Sequence, residues 1–163
     1  MRHKIYVAAL LATAALGAQA GALQLTVTDK DGKPAPDVVV LVEVPIRPVV
    51  TMTPVTATIV QEGLKFQPFL TVVPVGSTLR FVNRDRFDHH VKSMSGGPLG
   101  SIAPSQEFEF RLKAARGGSE PGADLKLDVP GATAIGCHLH GSMRGHIYVS
   151  PTPWVAVTDA AGR

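Results

Sequence analysis

Short runs of β-branched and aromatic residues recur along this chain, and glycine and proline separate them. Between Gln106 and Leu112 apolar and polar residues alternate, so Phe108, Phe110 and Leu112 fall on one face of a strand. After the first twenty residues, no window has the period of an amphipathic helix. The pattern predicts strands at Leu23–Thr28, Val38–Val44, Thr56–Gln61, Phe69–Val73, Thr78–Asn83, His90–Lys92, Gln106–Leu112, Leu125–Val129, Ala134–Cys137 and Gly145–Val149.

Many short strands with turns between them, and no crossover helices, are typical of an all-β protein. We expect a β-sandwich or barrel whose antiparallel strands are joined by Greek-key links. The segment Arg116–Asp124, which is rich in glycine and charge, is predicted to be a solvated loop. No segment has the composition of an interdomain linker, so residues 21–163 are predicted to form a single domain.

One sequence, VTDKDGK at residues 27–33, recurs in outline as VTDAAGR at residues 157–163. A strand followed by a tight turn explains both copies, because aspartate and glycine favour such turns. The alternative is that the second copy marks the beginning of a second sandwich.

The first twenty residues have the features of a secretory signal peptide. Arg2 and Lys4 precede an apolar run from Ile5 to Leu16, and small residues follow at Ala18 and Ala20. The run is too short to span a bilayer. We therefore expect cleavage near residue 20, a periplasmic or secreted product, and no membrane insertion after cleavage.

Charge argues against a nucleic-acid partner. The formal net charge of the whole chain is +3, and loss of Arg2 and Lys4 leaves 14 basic side chains against 13 acidic ones. A nearly neutral chain lacks the basic surface that binds polyanions.

The chain has one cysteine, Cys137, so no internal disulfide can form. An unpaired thiol in an exported protein is open to oxidation, and such proteins usually pair their cysteines or lack them. Two interpretations remain at this point. The thiolate binds a metal, or the cysteine is an inert part of the core.

The residues that accompany Cys137 favour the metal-binding interpretation. His140 follows three residues later and Met143 three residues after that, and a second histidine is available at His89 or His90. A thiolate, imidazoles and a thioether suit copper, whereas magnesium and calcium prefer oxygen. Zinc fits less well, because it usually takes a fourth strong ligand or a water.

These residues also carry a resemblance. The segments FVNRDRFDHHV and GCHLHGSMRGHIYV resemble the two copper-binding signatures of the cupredoxins, with the loop spacing of amicyanin. The likeness covers residues 72–149 approximately, and the chain is also similar to periplasmic cupredoxin-like proteins labelled as methylamine utilisation proteins. It implies a cupredoxin-like Greek-key sandwich.

By this resemblance one type 1 copper ion would be held by His89, Cys137 and His140, with Met143 as the long axial ligand. His89 is preferred to His90 because it lies six residues after Asn83, as in the family pattern, and shares strand parity with Val91. His90 stands where relatives carry a bracing asparagine, so it is expected to be a brace, an alternative ligand, or both.

The predicted function is that of an electron-transfer protein and not an enzyme, exchanging single electrons with a donor and an acceptor protein through transient contacts. The alternative is a periplasmic copper carrier or storage protein. A third interpretation is a thiol enzyme with Cys137 as nucleophile and His140 or His89 as base, and a fourth is an adhesion sandwich without a metal. Asp85 and Asp88 are expected on a solvated loop, and His138 and His146 are expected to be surface or strand residues.

Overall fold

The computed structural model describes residues 23–43, 45 and 49–163. The predicted signal peptide therefore lies outside the described residues. Within these ranges there is no helix with the length and hydrophobicity of a membrane span. The strands are β1 Val39–Leu41, β2 Thr56–Glu62, β3 Lys65–Gln67, β4 Leu70–Pro74, β5 Ser77–Asn83, β6 His89–Met94, β7 Glu109–Leu112, β8 Gly122–Leu127, β9 Gly131–Cys137, β10 Arg144–Ser150 and β11 Val155–Val157.

These strands form two main sheets and confirm the predicted all-β fold. A five-stranded sheet has the order β4-β10-β9-β6-β7, and a four-stranded sheet has the order β3-β2-β5-β8. The pairs β2 with β5 and β4 with β10 are parallel, and the other pairs within these sheets are antiparallel. The β6–β7 hairpin lies in one sheet, while β5 and β8, which flank it in sequence, pair with each other in the other sheet. This is a Greek-key connection, as predicted.

The core lies between the two sheets. Phe81 is fully buried, and its ring packs edge-on against Phe110 with 5.1 Å between ring centroids. Phe108, Phe110 and Leu112 all face this core, as their alternation predicts. Burying each large apolar side chain contributes about 1.5–3 kcal/mol, so the two facing sheets are held mainly by this layer.

The ends of the described chain pair with each other. β1 and β11 form a separate two-stranded antiparallel sheet. The two similar segments fold into the same turn. The carboxylate of Asp29 accepts hydrogen bonds from the backbone N–H groups of residues 31 and 33, and that of Asp159 from those of residues 161 and 163, all at 2.9 Å. The shared sequence therefore encodes a turn held by an aspartate.

Some of the strand predictions were wrong. Residues 23–28 form no strand and make only an isolated bridge at Thr28. Strand β8 begins at Gly122, inside the predicted loop. The prediction missed β3 and β11, which are only three residues long and too short to establish an alternating pattern.

Candidate metal centre

Strand register brings the two halves of the candidate site together. β6 and β9 are antiparallel neighbours in which Val91 lies opposite Cys137. The beginning of β6 and the end of β9 are therefore at the same edge of the sheet. His89 begins β6 and Cys137 ends β9, so these two residues meet although 48 positions separate them in sequence.

The spacing of the downstream residues follows from two consecutive turns. The N–H of His140 donates to the carbonyl of Cys137 at 3.3 Å, and the N–H of Met143 donates to the carbonyl of His140 at 3.0 Å. The N–H of Cys137 faces the carbonyl of Met143 at 3.4 Å, where β10 begins. Cys137, His140 and Met143 are thus separated by one turn each. Each turn brings the next possible metal ligand back toward the first.

Three donor atoms converge in this place. Cys137 Sγ lies 3.6 Å from His89 Nδ1 and 3.4 Å from His140 Nδ1. One ligand atom from each of these residues lies within 4.8 Å of the other two. Met143 is 1% exposed and belongs to the same buried cluster as Cys137.

These distances fit a bound metal ion. Metal–nitrogen bonds of about 2.0 Å and metal–sulfur bonds of about 2.3 Å, at angles of about 110–120°, separate nitrogen from sulfur by about 3.5–3.7 Å. The two separations between sulfur and nitrogen, 3.6 and 3.4 Å, are close to that range. The donor set of one thiolate and two imidazoles suits copper or zinc, and a thioether ligand, which Met143 on the same loop could provide, would favour copper.

Of the adjacent histidines, His89 is the one whose ring reaches Cys137. His89 is 0% exposed, whereas the ring of His90 is on the other face of β6, with Nε2 3.7 Å from a carboxylate oxygen of Glu109. His90 contacts the site through its main chain. Its N–H points at Cys137 Sγ at 3.4 Å, and its carbonyl accepts a hydrogen bond from the N–H of His138 at 2.8 Å.

The loop before His89 is folded around Asn83. This side chain is 0% exposed and uses three hydrogen bonds. Its Nδ2 donates to the carbonyls of Phe87 and Lys113, each at 2.8 Å, and its Oδ1 accepts from the N–H of Asp85 at 2.8 Å. Buried amides satisfied in this way fix the backbone around them, so the approach to His89 is rigid.

Asp85 was predicted to be solvated, and this prediction was wrong. The residue is 9% exposed, and its Oδ2 lies 2.9 Å from His89 Nε2. Its two carboxylate oxygens also accept the N–H groups of Gly63 at 2.8 Å and Leu64 at 3.3 Å. The turn between β2 and β3 therefore provides the amides that make burial of this carboxylate tolerable.

The surroundings of His89 and Asp85 shift their pKa values in the directions that suit metal binding. Burial lowers the pKa of His89 below its ordinary value, although the nearby Asp85 opposes the shift. Burial raises the pKa of Asp85, but hydrogen bonds from Gly63, His89 and Leu64 outweigh burial and lower it overall. His89 is therefore neutral at neutral pH and Asp85 is ionised, and neutral imidazole is the form that binds a metal.

Phe87 completes the site on its outer side. Its ring contacts those of His89 and His140 edge-on, at centroid distances of 5.3 and 5.1 Å, and the residue is 40% exposed. The sequence motifs gave Phe87 no role. Its position two residues before His89 was the only available signal. His138 and His146 are exposed, as predicted.

Comparisons with known proteins returned similarity at the level of structure. No protein-family model matches the chain. No curated protein sequence matches it significantly either. A Cu(I) amicyanin variant is 21% identical, with 58% of this chain and 82% of that chain covered and a TM-score of 0.46. An oxidised amicyanin variant is 20% identical over the same shares, with a TM-score of 0.47.

A copper-containing nitrite reductase from Thermus scotoductus is 25% identical. The alignment covers 68% of this chain and 25% of the reductase chain, with a TM-score of 0.46. At TM-scores below 0.5 these similarities assign no activity to the chain. Its chemistry follows from the donor set and its geometry.

Proposed function

We propose that this chain holds one copper ion and passes single electrons between redox partners. The observation that carries the proposal is the convergence of one ligand atom each from His89, Cys137 and His140 within 4.8 Å, with both histidines directing Nδ1 at Cys137 Sγ. Met143, which is buried in the same cluster as Cys137, would be the weak axial ligand. Copper held there would supply a one-electron couple between Cu(I) and Cu(II).

The residues around the donors support electron transfer because they limit movement. His89 is held by Asp85 and directly follows a loop that Asn83 braces. Cys137 is 3% exposed and receives the N–H of His90. Donor atoms fixed before a charge change need little rearrangement during it, which favours rapid exchange of electrons.

His140 is the proposed port for electrons. It is half-buried and lies on the loop between β9 and β10, whereas His89 is fully buried. The partly exposed ring of Phe87 packs beside it. Redox partners would dock transiently on this edge of the sandwich. Export to the periplasm or the medium is part of the proposal and depends on the first twenty residues of the sequence.

Copper carriage is the second candidate. It is favoured by a group of possible ligands beside the site, on the outer face of the five-stranded sheet. The rings of His90 and His138 are 5.6 Å apart, and Glu109 is next to His90. Such side chains could accept copper that leaves the buried donors.

A thiol enzyme is poorly supported, although Cys137, His89 and Asp85 lie in the order of a nucleophile, base and orienting acid. Cys137 is only 3% exposed, which keeps a substrate from its sulfur.

The test of electron transfer uses the protein loaded with one equivalent of Cu(II), compared with Cys137→Ser. We expect an intense visible thiolate-to-copper absorption band and a reversible one-electron couple in the wild type, and neither in the variant. A band that survives in Cys137→Ser would show that the assignment is wrong.

Carriage is distinguished by a Cu(I) chelator. Retention of copper through repeated redox cycles favours electron transfer. Rapid and complete loss of copper to the chelator, slowed by His90→Ala combined with His138→Ala, favours carriage.

A further inference from the structure

The carboxylate of Asp85 contacts both His89 and the turn between β2 and β3. One oxygen lies 2.9 Å from His89 Nε2, and the two oxygens together accept the N–H groups of Gly63 and Leu64. Its backbone is fixed as well, because its N–H donates to Asn83 Oδ1 at 2.8 Å and its carbonyl accepts from the N–H of Ala115 at 2.8 Å. Asp85 is thus held from several elements of the sandwich.

The turn whose N–H groups bind Asp85 has an uncommon backbone conformation. Gly63 and Leu64 have φ values of 62° and 61°, the left-handed region that is uncommon for a residue such as leucine. This conformation lets two successive N–H groups point at the carboxylate. The turn between β2 and β3 therefore forms a small anion-binding concavity for Asp85.

The hydrogen bond between Asp85 and His89 determines which nitrogen of His89 carries its proton. An ionised carboxylate can only accept hydrogen bonds, so Nε2 of the neutral imidazole must donate. The lone pair is then on Nδ1, and that atom lies 3.6 Å from Cys137 Sγ. The geometry thus selects the tautomer that the proposed copper ligand requires.

A carboxylate acts differently from a neutral acceptor at this position. A backbone carbonyl would also fix the tautomer, but a carboxylate adds a negative charge one hydrogen bond from the ligand. That charge makes the imidazole a stronger electron-pair donor to the metal. A stronger donor stabilises the more highly charged ion, Cu(II), more than Cu(I).

We infer that Asp85 is a positioning residue that fixes the orientation and tautomer of His89 and lowers the reduction potential of the bound copper. This inference rests on the proposed function for its redox part. Its positioning part concerns His89 itself and holds in the metal-free protein.

The experiment compares Asp85→Asn with Asp88→Asn. Both substitutions remove one negative charge near His89, but the carboxylate of Asp88 bonds to the N–H of Ala114 and to Lys113 and not to the histidine. For Asp85→Asn we expect the visible band to persist, the reduction potential to shift positively, and the Cu(II) affinity to fall by roughly 10–100-fold. Asp88→Asn should change both quantities much less. Equal shifts in the two variants would overturn the inference.

A second measurement needs no copper and no substitution. In the metal-free protein labelled with ¹⁵N, the His89 ring should show a proton on Nε2 that exchanges slowly with water. A proton on Nδ1, or rapid exchange, would overturn the positioning role even if Asp85→Asn does not fold. If the wild type shows no visible band, the proposed function fails. If the band is present and the potential of Asp85→Asn is unchanged, only the tuning by Asp85 fails.

Discussion

His89 and His140 both direct Nδ1 at Cys137, but their surroundings differ. His89 is fully buried, bonded to an ionised carboxylate, and preceded by a loop that Asn83 braces. His140 is half-buried on a loop held by backbone hydrogen bonds and by the ring of Phe87. The buried side of the site, around His89, fixes the protonation state of that ligand. The loop side, around His140, provides access to the site. One site thus combines rigidity with exposure by taking its donors from different places in the fold.

The largest expected effect distinguishes the adjacent histidines. His89→Ala should remove the visible band and weaken Cu(II) binding by more than the roughly 10–100-fold that loss of an outer partner costs. His90→Ala is the matched control, because it removes the same side chain one residue later. It should keep the band, which is measured by absorption during copper titration. The comparison fails if His90→Ala loses the band and His89→Ala keeps it.

Next in size is the effect of Asn83→Ala on the metal-free protein. It leaves buried carbonyl and N–H groups without partners, and each such group costs about 1–3 kcal/mol. We expect the free energy of unfolding in urea to fall by at least that amount. Ser142→Ala, on the exposed side of the downstream loop, should change it by less than about 0.5 kcal/mol. Equal losses of unfolding free energy in Asn83→Ala and Ser142→Ala would contradict the claim that the loop before His89 is held more rigidly than the loop after Cys137.

The pH dependence of stability tests the buried side directly. The pKa of His89 is lowered from 6.5 in the folded protein, chiefly by burial. As the pH falls below 6.5, the unfolded chain binds a proton that the folded chain does not. Stability should therefore decrease, with a slope from this group of up to about 1.4 kcal/mol per pH unit.

This slope should be smaller in metal-free His89→Gln, which lacks the titrating group. Urea unfolding between about pH 7 and pH 5 measures the slope in both proteins. This range lies above 3.8, the ordinary pKa of an aspartate side chain, and the pKa of Asp85 is lowered further by its hydrogen bonds. A slope unchanged by the substitution would show that His89 is not the group responsible.

Phe87→Ala gives the smallest expected effect. The ring is 40% exposed, and an aromatic contact of this kind contributes about 0.5–1.5 kcal/mol. We expect a loss of about 1 kcal/mol in the free energy of unfolding and an unchanged visible band. A lost band would mean that Phe87 is needed to form the site, and that the loop side is as rigidly supported as the buried side.

The strands and the donor residues could be predicted because their signals are local. Alternation in Gln106–Leu112 and strand parity between His89 and Val91 fix which side chains face inward. Spacing alone groups Cys137, His140 and Met143 on one loop.

The environment of Asp85 could not be predicted in the same way. Its burial depends on the N–H groups of Gly63 and Leu64, more than twenty residues earlier, in a turn before a strand of only three residues. A single aspartate among charged neighbours has the composition of a solvated loop. Only the pairing of distant strands shows that it lies beneath His89.

The most direct test of the central claim is a crystal structure of the protein with one equivalent of copper, with the metal located by anomalous scattering at the copper edge. We predict one copper ion bound by His89 Nδ1, Cys137 Sγ and His140 Nδ1, with Met143 as a longer contact. Copper on the outer face at His90, His138 and Glu109, with the buried donors unoccupied, would contradict the account.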